Sequence, residues 1–233
     1  MDVSTNAAMP GRRAHPAGRL PAAVLWDMDG TLVDTEPYWI ASEFELAERH
    51  GAWWSREDAL ALVGRDLIDA AEIIRARMGL TLAPARIVEE LLDGVIARVR
   101  ETVPWRPGAR ELLEHLRESQ VPCALVTMSY ERFVAPILEH LPPETFRAIV
   151  TGDTVERGKP HPEPYLAAAA ALGVMAANCL AIEDSTTGVT SAENAGCRVL
   201  VVPNHVPVVP GPQRVFRSSL AGLTLADLCE LCG

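Results

Sequence analysis

The chain has 233 residues, 48% of them hydrophobic and 22% charged, with a formal net charge of -10. That length buries one sizeable core with a modest second lobe, and an ordinary charged fraction excludes wholesale disorder. An acidic surface repels nucleic-acid phosphates and anionic membranes, so neither is expected as a partner; a small anion binds only where positive charge is concentrated.

Residues 1–20 carry Arg12, Arg13 and Arg19 but no apolar stretch of signal length, which predicts a flexible leader. No apolar run approaches the roughly 20 residues of a membrane span. After Pro21, the short apolar run Ala22–Trp26 stops abruptly at Asp27-Met28-Asp29-Gly30-Thr31, the pattern of a buried strand closed by a turn. A long helical block follows. It comprises Pro37–His50, a helix start at Ser55 with Asp58 three residues later, Leu67–Met78 with one apolar face, and Pro84–Arg100. No strand signal falls between 37 and 100. Tyr38, Trp39, Phe44, Trp53 and Trp54 cluster early in this block and are expected to form its core, its packing against the rest, or part of a pocket wall.

Val103-Pro104-Trp105-Arg106-Pro107-Gly108 reads as a hinge, and strand and helix signals alternate beyond it. Predicted strands are 123–126, 148–150, 179–182 and 198–202. Predicted helices are 109–119, 130–140, 164–172 and 187–195. Pro203–Pro212 reads as an irregular loop. This alternation predicts an α/β fold: a Rossmann-like parallel sheet core (21–34 and 105–233) with an inserted α-helical cap lobe (35–104). Of five cysteines, Cys123, Cys179 and Cys197 lie in apolar surroundings and read as buried reduced thiols of a cytoplasmic protein. Cys229 and Cys232 form a C-x-x-C pair that fits a terminal amphipathic helix better than a redox or zinc site.

Ligands of open parallel sheets bind outside the carboxyl ends of the strands. Asp27 and Asp29, two apart on an extended chain, face one point, and paired carboxylates there call for a cation. Glu183-Asp184 ends a later strand and offers the further oxygens that magnesium prefers. Thr127, at a strand end before a helix, can donate to an anion with neighbouring backbone N–H groups, and Lys159 supplies a compact positive charge. Taken singly, these residues are a turn cap, a strand-end hydroxyl and a solvated lysine. Together they compose a phosphoryl-transfer site.

The ordered set Asp27-Met28-Asp29-Gly30-Thr31-Leu32-Val33-Asp34-Thr35, Thr127, Lys159-Pro160 and Glu183-Asp184-Ser185 resembles the haloacid dehalogenase superfamily, in its branch with a helical cap after the first motif. The resemblance implies Asp27 as nucleophile forming an aspartyl-phosphate, and Asp29 as general acid and base. It implies Thr127, Met128 and Lys159 around the phosphoryl oxygens. Mg²⁺ would be held by Asp27, the backbone carbonyl of Asp29, and Asp184, with Glu183 orienting a metal-bound water. Glu36, Arg65, Met128 and His161 are candidates for specificity by placement, His161 more simply a bystander. The implied activity is a magnesium-dependent phosphatase of a small phosphorylated metabolite. A phosphomutase is the first alternative, weakened because Arg65 is displaced towards Gly64 and Leu67 occupies the expected register. A dehalogenase is disfavoured by the presence of Asp29, and a non-catalytic binding module by the presence of every motif residue.

Overall fold

The computed structural model describes residues 20–63 and 65–232, without the side chain of Cys232. The expected leader, apart from Leu20, therefore lies outside the described residues, as do Gly64 and half of the C-x-x-C pair.

Six parallel strands form one sheet: β1 (Ala23–Trp26), β2 (Cys123–Val126), β3 (Ala148–Val150), β4 (Cys179–Glu183), β5 (Arg198–Val201) and β6 (Arg214–Phe216). Their order is β3-β2-β1-β4-β5-β6, so β1 lies between β2 and β4 and the direction of winding reverses beside it. Strands β1, β2 and β4 are buried along their whole length, which is why they read as continuous apolar runs. Val24 and Trp26 enter one core cluster while Ala23 and Leu25 enter the other, as a period of two requires. Strand β6 is an addition to the sequence reading. Its three half-buried residues at the sheet edge carry too little apolar pattern to register.

Between β1 and β2 come four helices: α1 (Glu36–Arg49), α2 (Arg56–Leu60), α3 (Leu67–Met78) and α4 (Pro84–Glu101). Ser55 and Asp58 close a reciprocal capping box at the start of α2. Helix α4 buries Ile87, Leu91, Val95 and Val99 with Val88, Leu92 and Ile96, a stripe that packs on α1 and α3. Gly94 permits that approach, since a Cβ there would lie 2.6 Å from Ser42 Oγ. The two chain crossings into this cap are tied side by side. Asp34 N–H donates to Pro104 O at 2.8 Å, Arg106 N–H donates to Leu32 O at 3.0 Å, and Val33 bridges Trp105.

The remaining helices cover the sheet: α5 (Ala109–Glu118), α6 (Glu131–Leu138), α7 (Glu163–Ala171), α8 (Thr186–Asn194) and α9 (Leu225–Cys232). Cap and core meet where Arg132 of α6 pairs with Glu89 and Asp93 of α4, and where Trp39 packs edge-on against Phe133 with ring centroids 5.6 Å apart. The aromatic cluster divides. Trp54 is buried, but Trp53 is 76% exposed and Phe44 39% exposed, so those two are not core. Adjacent residues of a non-helical stretch point in different directions, and only one of two neighbouring tryptophans turns inward. Among the described residues no helix is long and apolar enough to cross a membrane.

Candidate active site

The ends of β1, β2 and β4 bring the polar residues together. Asp27 N–H donates to Ile182 O at 3.0 Å and Thr127 N–H to Val150 O at 2.9 Å, so both residues extend the ladder by one step and emerge at its carboxyl edge. They line a cavity of about 560 Å³ between core and cap, together with Asp29, Met128, Ser129, Lys159 and Asp184. This is the position that an open parallel sheet offers beside its winding reversal.

The floor of the cavity is a carboxylate cluster around one ammonium. Lys159 Nζ donates to Asp27 Oδ1 at 2.6 Å, Glu183 Oε1 at 2.7 Å and the Val126 carbonyl at 2.9 Å, which uses all three of its protons. Burial opposes the Lys159 charge, but Asp27 and Glu183 outweigh it and hold the ammonium above the ordinary lysine range. Asp27 Oδ2 is buried with no hydrogen-bond partner. Burial pushes Asp27 up to about 7, the Glu183 charge adding and Lys159 opposing. Burial likewise raises Asp184 to about 9, with Asp27 and Glu183 as further causes. Three carboxyls against a single ammonium leave a deficit of positive charge.

Asp27, Glu183 and Asp184 each offer an oxygen within 4.8 Å of the others, a donor set that suits a hard divalent cation. The three differ in readiness. Glu183 Oε1 already accepts from Lys159 and, at 2.7 Å, from the Tyr165 hydroxyl. Its Oε2 accepts from the N–H groups of Asp184 and Ser185 and from Ser185 Oγ. Asp27 Oδ2 and Asp184 remain open, so Glu183 is better suited to hold the loop after β4 than to bind a cation directly. Gly188 makes room for it, since a Cβ there would lie 1.8 Å from Glu183 Oε1.

Gly30 serves Asp184 in the same way. It has φ +89°, and a Cβ on it would stand 2.0 Å from Asp184 Oδ2. Gly30→Ala is therefore expected to displace Asp184, to cost roughly 1–3 kcal/mol of stability, and to weaken divalent-cation binding. Thermal unfolding with and without Mg²⁺ measures both, and an unchanged Mg²⁺-induced shift in Tm would contradict the expectation.

Asp29 does not join the cluster as simple two-residue alternation suggests, because the strand ends at Trp26 and the chain turns at Asp29. Its carboxylate is held instead by hydroxyls: Thr35 donates to Oδ1 at 2.7 Å, and Ser129 and Thr127 donate to Oδ2 at 2.7 and 3.2 Å. Met128 lines the cavity, and its Sδ accepts from Lys159 N–H at 3.2 Å. Glu36 lies on the cavity wall, raised to about 7 by burial while His205 opposes the shift. Arg65 borders the cavity, but it is exposed and its Nε donates to the Ala61 carbonyl at 3.0 Å. His161 is a correction. It is not on the cavity wall, and its Nδ1 accepts from Glu163 N–H at 3.2 Å at the start of α7.

Several site groups escaped the sequence reading. Thr35 and Ser129 stand inside or beside the quoted motifs, so proximity was their signal. Tyr165 and Glu43 sit in helices without any distinguishing pattern. His205, paired with Asp34 at 2.8 Å, comes from the proline-rich loop.

A capped parallel sheet with a buried carboxylate–ammonium cluster at its carboxyl edge is an α/β architecture with a site suited to phosphoryl chemistry. A family model described as "haloacid dehalogenase-like hydrolase" matches residues 24–202. The chain belongs to that family, with its helical cap inserted after the first strand. Hexitol phosphatase B of Escherichia coli K12 is 32% identical over 213 residues, covering 90% of this chain and 93% of the relative. A phosphoglycolate phosphatase of Pseudomonas fluorescens is 32% identical over 195 residues, covering 79% of this chain and 70% of the relative. The solved structure of CbbY from Rhodobacter sphaeroides in complex with phosphate superposes with a TM-score of 0.76 at 27% identity, covering 87% of this chain and 96% of that one.

Proposed function

We propose that the enzyme is a magnesium-dependent phosphatase that hydrolyses a small phosphate monoester, a sugar phosphate or similar metabolite, through an aspartyl-phosphate on Asp27. The observation that carries this reading is the asymmetry of Asp27. One oxygen is anchored by Lys159, and the other is buried, unpartnered and on a residue of the cavity wall. That oxygen attacks phosphorus while the ester P–O bond breaks, and Asp29 gives the leaving oxygen its proton. Water then attacks the phosphorus of the aspartyl-phosphate, Asp29 takes a proton from it, and inorganic phosphate leaves as Asp27 is regenerated. Thr127, Met128 and Lys159 hold the phosphoryl oxygens. Asp27, the Asp29 carbonyl and Asp184 would hold magnesium, which would supply positive charge against the developing negative charge.

A phosphomutase would need a cap cation for a second phosphate, and Arg65 is instead turned to a backbone carbonyl. A cytoplasmic location fits the buried thiols of Cys123 and Cys197, neither of which is in a disulfide. The expected partners are small phosphorylated metabolites rather than nucleic acid or membrane.

The test is phosphate release from a panel of phosphorylated metabolites with Mg²⁺ and with EDTA. Activity is expected to require the metal, and robust turnover in EDTA would overturn the mechanism. The metal requirement is also expected to depend on pH. Asp27 and Asp184 have folded pKa values raised to about 7 and about 9, so protons compete with the cation below those values. The Mg²⁺ concentration for half-maximal activity should fall as pH rises from 6 to 9, and a flat dependence would count against both carboxylates as ligands.

A further inference from the structure

Glu43 is a carboxyl in an unusual place. It lies on α1, is only 5% exposed, and still forms part of the cap side of the cavity wall. Its Oε2 accepts from Trp54 Nε1 at 3.0 Å. Its Oε1 has no hydrogen-bond partner, and no cation pairs with it among the described residues. Apolar Trp39, Leu62, Ile74 and Leu91 line the same cavity from the cap. An unpaired carboxylate in such surroundings is costly, and the group neutralises instead. Burial pushes Glu43 up to about 8, the Trp54 hydrogen bond opposing and the Glu36 charge adding. Since Oε2 is an acceptor, the proton of the neutral form belongs on Oε1. The cap wall thus presents an O–H donor, with a second raised carboxyl, Glu36, seven residues earlier on the same helix face.

We propose that Glu43 is a specificity-determining residue that hydrogen-bonds an uncharged, hydroxyl-bearing tail of the substrate and rejects tails ending in a second anion. The proposal rests on the phosphatase reading above and adds what the leaving group must look like. A hydroxyl meets Oε1 as acceptor or donor in either protonation state. A carboxylate or second phosphate meets a cap wall with three acids, Glu36, Glu43 and Asp66, and no ammonium among the described residues; the guanidinium that lines it, Arg65, is exposed, with its Nε on the Ala61 carbonyl. A site built to hydrogen-bond a hydroxyl discriminates more sharply than an apolar one, because the analogue leaves buried polar groups unpaired.

Sorbitol 6-phosphate and 6-phosphogluconate test this, since they differ at the far end in a hydroxymethyl against a carboxylate. Para-nitrophenyl phosphate reports on the reaction centre independently. The wild-type enzyme is expected to prefer sorbitol 6-phosphate over 6-phosphogluconate by at least ~10-fold in kcat/KM. Glu43→Leu is expected to lose ~10- to 100-fold on sorbitol 6-phosphate, chiefly in KM, and several-fold less on para-nitrophenyl phosphate. Glu43→Gln, which can still accept from Trp54 and donate into the cavity, is expected to recover most of the preference. A wild-type ratio near one, equal losses on both substrates in Glu43→Leu, or a Glu43→Gln variant as defective as Glu43→Leu would overturn the proposal. The wild-type ratio needs no variant to fold. Failure to release phosphate from any of the three compounds defeats the phosphatase reading itself, and Glu43 falls with it.

Discussion

Asp27→Asn is expected to abolish phosphate release, by at least about 10⁴-fold in kcat, while leaving the protein folded. The amide keeps the shape of the carboxyl, and one oxygen can still face Lys159, but it cannot form the acyl-phosphate. The stability consequence separates this from ordinary damage. The folded pKa of Asp27 is raised to about 7 from 3.8, so its ionisation opposes folding increasingly as pH climbs above the unfolded value, until the folded pKa is passed. Replacing it by a neutral isostere should therefore leave the metal-free protein as stable as the wild type or more so at pH 8. The same change removes a carboxylate charge from the proposed cation site, so the Mg²⁺-induced rise in Tm should shrink. Phosphate release and thermal unfolding on one sample check all three parts, and retained turnover would remove Asp27 from the mechanism.

Lys159→Met is the more damaging substitution for the fold. The ammonium is the shared partner of Asp27, Glu183 and the Val126 carbonyl, and its side chain is only 5% exposed. Removing one side of a buried ion pair typically costs about 3–5 kcal/mol, because the remaining charge stays buried without compensation. For a chain of this length that corresponds to a fall in Tm on the order of 10 °C. The loss has a pH signature. Without Lys159 the pKa values of Asp27 and Asp184 rise further, so the penalty is largest where those carboxyls must ionise and smaller where they are protonated. Unfolding at pH 5 and pH 8 should show the smaller loss at pH 5, and an equal loss at both would mean that packing of the stem matters more than its charge. Activity is expected to vanish as well, since the phosphoryl oxygens lose their ammonium.

The sheet was legible because its central strands are buried on both faces, which turns Ala22–Trp26, Cys123–Val126 and Cys179–Ile182 into unbroken apolar runs between polar turns. Lys159 and Asp184 were legible only through their order behind Asp27. Each alone is an ordinary surface residue type, and it is the parallel winding that draws them within reach of one another. The environment of Glu43 was not legible. A glutamate in an amphipathic helix normally faces water, and its inward turn depends on Trp54, which sequence cannot distinguish from the exposed Trp53 next to it. His161 lies two residues from Lys159 in the chain, but its ring turns to the backbone at the start of α7. Asp29 shows a third limit, because alternation along a strand stops predicting direction once the strand has ended.

The paired crossings at Asp34–Pro104 and Leu32–Arg106 make the four inserted helices topologically a side branch. Both ends leave and rejoin the sheet through one narrow neck, so the branch can be lengthened, shortened or exchanged by recombination without reordering a strand. Mutational drift in the branch can then alter which molecules are accepted, while the carboxylate–ammonium floor stays under separate selection for turnover. A chimera carrying another branch grafted between residues 35 and 104, with Thr35 kept on Asp29, is expected to keep its reaction and change its clientele.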